Sequence, residues 1–257
     1  MNSISKEYIE KELSGSLYKI EVEQSVTSTN SIMKDRAKKE GGEFSVLIAS
    51  HQSSGRGRLG RSFHSPSDTG LYMSILLKPQ DKSNPLFITT DAAVCCASVF
   101  ERMSKKKALI KWVNDIYIDN RKVCGILTEG AAGENGYAVL GIGINVTPPE
   151  DGFPEDIKDR AGCVFDKAVP FLREKVAVEI LKEFYKIYTC GNRSNLLCEY
   201  RERSMVIGKE IEIIKDDTHE KALVLSIDED YSLVIKKQNG DIVRKNSGEI
   251  SIKIEQN

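Results

Sequence analysis

A chain of 257 residues with 40% hydrophobic side chains can bury a core that needs neither a disulfide nor a metal to hold it. Its 37 Lys and Arg balance 38 Asp and Glu, which excludes a general polyanion binder and requires any strong positive potential to be local. Six cysteines with no C-x-x-C pair, and three histidines (His51, His64, His219) without ligand spacing, exclude a zinc site by pattern and read as reduced, mostly buried thiols.

The opening MNSISKEYIEKELSG is too polar and acidic for a secretion signal, and the longest apolar run, residues 92–100, is too short to cross a bilayer. The expectation is a cytoplasmic protein with no membrane segment. Residues 31–40 are strong helix formers preceded by Ser28, Thr29 and Asn30, all good N-cap types, and GGE ends that helix. FSVLIAS (44–50) and GLYMSILL (70–77) read as buried strands, with a glycine and arginine loop between them. PLFITTDAAVCCASVFERM (85–103) reads as a buried helix with proline at its start. ALIKW, DIYI and KVCGILTEG then begin a meander, with DNR and GENG as turns leading into YAVLGIGINV. Helical patterns run from about 170 to 203. From Met205 short alternating strands predict a small all-β unit, so a domain boundary is expected near residue 204.

GRGRLGR, Gly55 to Arg61, packs three glycines and three arginines into seven residues. It matches G-x-G-x-x-G, but the dinucleotide fingerprint needs a helix directly after it, and RSFHSPSDTG is no helix. A Walker A loop is excluded because the Gly208-Lys209 pair is followed by Glu210. Backbone phosphates of a nucleic acid would suit Arg56, Arg58 and Arg61, yet no aromatic platform or basic stripe accompanies them. A solvated loop whose glycines merely make turns is the plain alternative.

In KWVNDIYI, Lys111 and Asp115 are four apart and share one face if the segment is a single strand, an arrangement that is commonly a structural ion pair. RKVCGILTEG brings Lys122, a strand lysine of a kind usually solvated, and Gly125, whose missing side chain admits a ligand. Taken together, these residues imply an anion site, most simply for phosphate, on an α+β sheet.

STN (28–30), HQSSGRGRLGR (51–61), KWVNDIYI (111–118), KVCGILTE (122–129), GIGINV (141–146) and SGEISIK (247–253) together resemble, in family order, the biotin protein ligases. The resemblance implies an α+β fold: a mixed β-sheet with helices packed on one side over residues 1–204, then a small SH3-like β-barrel over 205–257. It implies an ATP-dependent ligase that joins biotin to ATP as biotinyl-5′-AMP, with Mg²⁺ accompanying ATP. The biotinyl group then passes to one lysine of a biotin carboxyl carrier protein, of acetyl-CoA carboxylase or a related carboxylase. Some relatives carry an N-terminal DNA-binding domain; fewer than thirty residues precede STN, so no operator binding is expected. Monomer and homodimer both remain open, a sheet edge near GIGINV being the candidate for pairing.

By matching motif, the resemblance assigns Ser28, Thr29, Asn30 and Gln52 to the biotin head, and makes Gly55, Arg56, Gly57 and Arg58 part of a loop closing over the ligand. Arg58, Lys111 and Lys122 are the implied catalytic cations. Arg58, Arg61, Phe63, Lys111, Asp115 and Asn145 are implied on the nucleotide side, and Gly125 beside the substrate. Val113 stands where many members have proline, and Phe63 where many have tryptophan, which keeps an aromatic surface but loses an N–H donor. The rival readings are a lipoate or octanoate ligase, whose usual R-R-x-S-G-G-G segment is missing, and a non-catalytic nucleic-acid-binding module.

Overall fold

The computed structural model describes residues 3–39, 41–79, 85–131, 136–215, 218–246 and 249–252. Residues 133–135 of the GENG turn, and Ser247, Gly248 and Lys253 of the SGEISIK motif, lie outside the described residues.

Among the described residues seven strands form a mixed sheet: β1 (Lys19–Glu23), β2 (Ser45–Ala49), β3 (Gly70–Leu77), β4 (Leu109–Lys111), β5 (Asp115–Ile118), β6 (Arg121–Ala131) and β7 (Tyr137–Asn145). Their spatial order is β1-β2-β3-β7-β6-β5-β4, with β1 and β2 parallel and every other pair antiparallel. β7, which carries GIGIN, is therefore interior, hydrogen-bonded to β3 and β6 on either side. The expected free edge there is absent, and the sheet ends instead on β1 and β4.

Strand alternation sorts side chains to two covered faces. Leu71, Met73, Ile75 and Leu77 of β3 point into the main core with Leu140, Ile142 and Ile144 of β7. The helices α1 (Lys6–Glu12), α3 (Pro85–Ser104), α4 (Leu172–Cys190) and α5 (Arg193–Glu202) supply that core with Ile9, Val99, Phe100, Phe184, Leu196 and Tyr200. The helix α2 (Thr29–Ala37) packs on the opposite face, where Met33 joins Leu47, Leu76 and Val139. The expectation of helices on one side is thus corrected: α2 crosses over because the sheet's second face is also apolar at that end and must be covered.

KWVNDIYI is a hairpin, not one strand. Lys111 closes β4 and pairs directly with Asp115, which opens β5, across a turn of Trp112, Val113 and Asn114. The two residues still share a face, by cross-strand pairing rather than by alternation. Asp119 and Asn120 hold the next turn at φ +50° and +60°, as the DNR signal implied.

A second, antiparallel sheet has the order β11-β10-β9-β8-β12, from β8 (Glu210–Lys215), β9 (Thr218–Ile227), β10 (Leu233–Lys237), β11 (Ile242–Lys245) and β12 (Glu249–Ile252). It is locked to the first: Trp112 Nε1 donates to Tyr231 O at 2.8 Å, Arg201 Nε donates to Ile227 O at 2.7 Å, and Tyr231, Leu233 and Ile235 belong to the main core. Of the thiols, Cys95, Cys96 and Cys124 are buried, Cys163 is half-buried, and Cys190 and Cys198 are exposed, so the expected burial holds for half of them. No helix among the described residues is long and apolar enough to cross a membrane.

Candidate active site

The face under α2 changes character along the strands. Leu76, Val139 and Met33 fill its far end. Two residues nearer, Ser74 of β3 faces Gly141 of β7, and two further on Tyr72 faces Gly143, itself paired with Gly125 of β6. The three glycines leave a trough where side chains would otherwise stand. A Cβ at Gly141 would run into the Asn30 side chain, and one at Gly143 would lie 2.8 Å from the Phe63 ring.

One end of the trough is polar and neutral. Ser28 caps α2, its hydroxyl facing Ser31 N, and so aims Thr29 and Asn30 at the sheet. Gln52 Oε1 accepts from Thr29 N at 2.9 Å and from Thr29 Oγ1 at 3.1 Å, while Gln52 Nε2 donates to Ser65 Oγ at 3.1 Å. Ser74 Oγ donates to Asn30 Oδ1 at 2.6 Å, and Asn30 Nδ2 donates to Leu127 O and Glu129 Oε2, both at 3.2 Å. Ser28, Thr29, Asn30 and Ser74 are all buried, so these amides and hydroxyls are fixed before any ligand arrives.

The other end is charged. Lys122 lies three residues before Gly125, and plain alternation would put them on opposite faces. The register between β5 and β6 shifts at Ile116/Tyr117, so Tyr117 pairs with Lys122 while Ile116 pairs with Cys124. Val123 is the extra residue, and this bulge turns Lys122 onto the trough face. There Lys122 Nζ stands 2.7 Å from Asp115 Oδ1 and 5.9 Å from the Phe63 ring centre. Lys111 projects from the strand pair of Asp115, its ammonium 5.9 Å over the Tyr117 ring.

The glycine and arginine loop roofs the trough as a short antiparallel ribbon. Phe63 N donates to Gly55 O at 2.9 Å, Arg56 bridges Ser62, and Gly57 N donates to Arg61 O at 2.7 Å, with a 3₁₀ turn Arg58–Gly60 at the tip. Gly60 holds φ +74°, a left-handed conformation that side chains disfavour. Arg58 Nη1 donates to Asn114 Oδ1 at 3.1 Å on the charged side, and Arg56 Nη2 pairs with Glu129 Oε1 at 3.2 Å on the α2 side. The loop therefore spans the trough, with Phe63 laid on the glycines beneath it.

Residues 22–145 match the model of the Biotin/lipoate A/B protein ligase family. These residues are a Biotin/lipoate A/B protein ligase domain. The chain is homologous to biotin protein ligases: it is 27% identical to the biotin protein ligase of Aquifex aeolicus solved in complex with biotin and ATP, with a TM-score of 0.75, covering 91% of this chain and 98% of that one. It is 36% identical over 169 residues to the bifunctional ligase/repressor BirA of Bacillus subtilis, covering 63% of this chain and 51% of that protein. It is 29% identical over 177 residues to the biotin--[acetyl-CoA-carboxylase] ligase of Mycobacterium tuberculosis, covering 65% and 64%. The chain spans about half the length of the Bacillus proteins it matches.

Within this ligase-family domain the cleft is lined by Ser28, Thr29, Asn30, Gln52, Arg56, Gly57, Arg58, Arg61, Phe63, Lys111, Asp115, Lys122 and Gly125, as well as by Trp112 and Asn114. Gly55 and Asn145 do not line it. Gly55 lies buried at the ribbon's base against Phe63 and Ser65, and Asn145 Nδ2 donates to Gly162 O at 3.0 Å, behind Lys122. Asn114, Ser74, Gly141, Gly143 and Glu129 also shape the cleft or its rim, with no role expected from the motifs. Four of the five lie inside the segments KWVND, GIGINV and KVCGILTE, and Ser74 needs the fold to be seen.

Among the described residues no three His, Cys, Asp or Glu side chains gather as a metal site. Asp115 Oδ1 is buried without a hydrogen bond, although Lys122 Nζ is its ion-pair partner, and it is the carboxylate in the cleft. One carboxylate beside a polyphosphate fits Mg²⁺, which keeps most of its waters and takes few protein ligands.

Proposed function

We propose that this chain is an ATP-dependent biotin–protein ligase. The reading is carried by one observation: a glycine trough with fixed neutral donors and acceptors at one end and Lys122, Asp115 and Lys111 at the other, roofed by an arginine-bearing ribbon, in a domain of this family. The uncharged ureido head of biotin suits the Thr29, Asn30 and Gln52 end, and its carboxylate would then lie toward Lys122.

A carboxylate oxygen of biotin attacks the α-phosphorus of ATP, forming a P–O bond as the bond to pyrophosphate breaks. The product is biotinyl-5′-AMP. Two anions are forced together in this step, and Lys122 stands where it can neutralise both once it turns from Asp115. Arg58 stabilises charge on the α-phosphate, with Lys111 beside the polyphosphate. Arg61, Phe63 and Asn145 serve the nucleotide side, Asn145 by holding the backbone behind Lys122. Asp115 would hold Mg²⁺, which when bound would offset the charge of the leaving pyrophosphate.

In the second step the ε-amine of a carrier lysine attacks the acyl carbon, AMP leaves and the amine loses a proton. A mixed anhydride hydrolyses readily, so the ribbon over Gly125 and Gly143 excludes water until the carrier arrives. The acceptor is a biotin carboxyl carrier protein of acetyl-CoA carboxylase or a related carboxylase. We read the sheet after residue 204 as an SH3-like barrel, a second domain over 205–257 that shares its interior with the first.

The test is incubation with ATP, Mg²⁺, biotin and a biotin carboxyl carrier domain. The expected result is one biotinyl mass added to one lysine. Modification by lipoate or octanoate in place of biotin would overturn the substrate.

A further inference from the structure

Glu129 stands where three parts of the site meet. It follows Leu127 by two residues on the trough face of β6, and its side chain is 17% exposed. Oε2 accepts from Asn30 Nδ2 at 3.2 Å. Oε1 lies 2.7 Å from Lys34 Nζ and 3.2 Å from Arg56 Nη2. Asn30 and Lys34 are four residues apart on α2 and so present one face to β6, whereas Arg56 arrives from the ribbon.

An ion pair that merely fastens α2 to the sheet needs one cation, and Lys34 supplies it. The contact with Arg56 does something else. Arg56 is half exposed, and its other partner is Ser31 Oγ at a long 3.4 Å, so Glu129 is the charged anchor for this end of the ribbon. At the other end Arg58 Nη1 donates to Asn114 Oδ1. The same carboxylate settles which way the Asn30 amide points, because it takes one Nδ2 hydrogen while Leu127 O takes the second and Ser74 turns to Oδ1.

We infer that Glu129 is a positioning residue that couples the ribbon to the biotin-head end of the trough, holding Arg56 and Asn30 on its two oxygens. The inference rests on the function proposed above. It makes the hold on the ribbon and the orientation of the pocket amide one arrangement: with Asn30 on Oε2, Oε1 stays in place to hold Arg56, and a displaced Asn30 loosens the roof.

Two readouts separate this coupling from the proposed activity. The first is amide hydrogen exchange of residues 55–63 in the protein alone, which needs no catalysis. Glu129→Gln keeps an oxygen for Asn30 but faces Arg56 without charge; exchange in the ribbon is expected to rise about tenfold, equally in Arg56→Ala, and less than twofold in Lys34→Ala. The second is the rate at which preformed biotinyl-5′-AMP leaves. It is expected to rise about tenfold in each of Glu129→Gln and Arg56→Ala, and no further in the double variant, because both remove the same contact. Glu129→Asp, which keeps the charge, should recover part of the retention. Ribbon exchange unchanged in Arg56→Ala, an exposed position where misfolding is not at issue, overturns the inference; so does a double variant whose effects multiply to about a hundredfold. A wild-type protein that makes no adenylate, with ribbon exchange responding as described, overturns the proposed activity and leaves the anchor standing.

Discussion

Lys122 owes its position to one extra residue. Without the bulge at Val123 its ammonium would face the α3 side of the sheet, and Asp115 would lose its ion-pair partner in the trough. Lys122→Ala should lower adenylate formation at least about 100-fold, as loss of a group that meets developing charge does. Its ion pair with Asp115 is only partly buried, so the stability cost is about 1 kcal/mol or less, a Tm shift of about 2–4 °C. Pyrophosphate exchange at the wild-type rate in this variant would remove Lys122 from the chemistry. Glu129 makes a prediction in pH. Burial pushes its carboxyl up, but hydrogen bonds from Lys34 and Asn30 and the charges of Arg56 and Lys34 outweigh it and hold the group below its ordinary 4.5. A lowered folded value means a contribution that is complete above the ordinary value and lost as pH falls through the lowered one. The Tm gap between wild type and Glu129→Gln should therefore be widest near neutrality and close below pH about 4.5; a gap that widens in acid would contradict it. Lys122 and Arg58 stand out in sequence only through the family resemblance of their motifs, since residue type alone leaves Lys122 an ordinary strand lysine and Arg58 one of three loop arginines. The bulge was not legible, because it exists only as a register difference between β5 and β6, and Glu129 has no chemical signature until Asn30, Lys34 and Arg56 surround it.

At the scale of elements, the loop between β2 and β3 is a ribbon fastened at its base, where Gln52 Nε2 donates to Ser65 Oγ. Gly55 is its tightest point, since a Cβ there would collide with Phe63 O and Ser65 Oγ. Gly57, in contrast, has room, its Cβ reaching no closer than 3.4 Å to Arg61 O. Gly55→Ala should shift Phe63 off Gly125 and Gly143 and speed loss of the adenylate several-fold, while Gly57→Ala changes it less; the reverse order, read by filter retention of labelled adenylate, would show that Phe63 does not form the seal. Strongly patterned elements were readable as elements: β2, β3 and β7 as apolar runs, α3 by its length and leading proline, α2 by its N-cap. What pattern cannot give is neighbours. GIGIN looks like any glycine-bearing strand, yet β7 lies between β3 and β6, where its glycines make the floor of the trough. KWVND reads as a strand because nothing in it marks a turn as strongly as the DNR that follows. α1 escaped notice because its seven residues bury only Ile9 and depend on Ser5 as a cap.

For the whole molecule, the core runs without a break from the seven-stranded sheet into the second one through Tyr200, Tyr231 and Leu233, reinforced by Trp112 Nε1 donating to Tyr231 O. The change of sequence character near residue 204 is real as a change of element type, but the contacts across it are those of a shared interior. Calorimetry should show a single unfolding transition, and two resolved transitions would mean that the second sheet unfolds independently. What the trough activates is read by biotin-dependent exchange of labelled pyrophosphate into ATP. Exchange should require biotin and Mg²⁺ together and fall at least about 100-fold in Lys122→Ala; no exchange with biotin, or equal exchange with lipoate in its place, would rule out biotin as the acid activated.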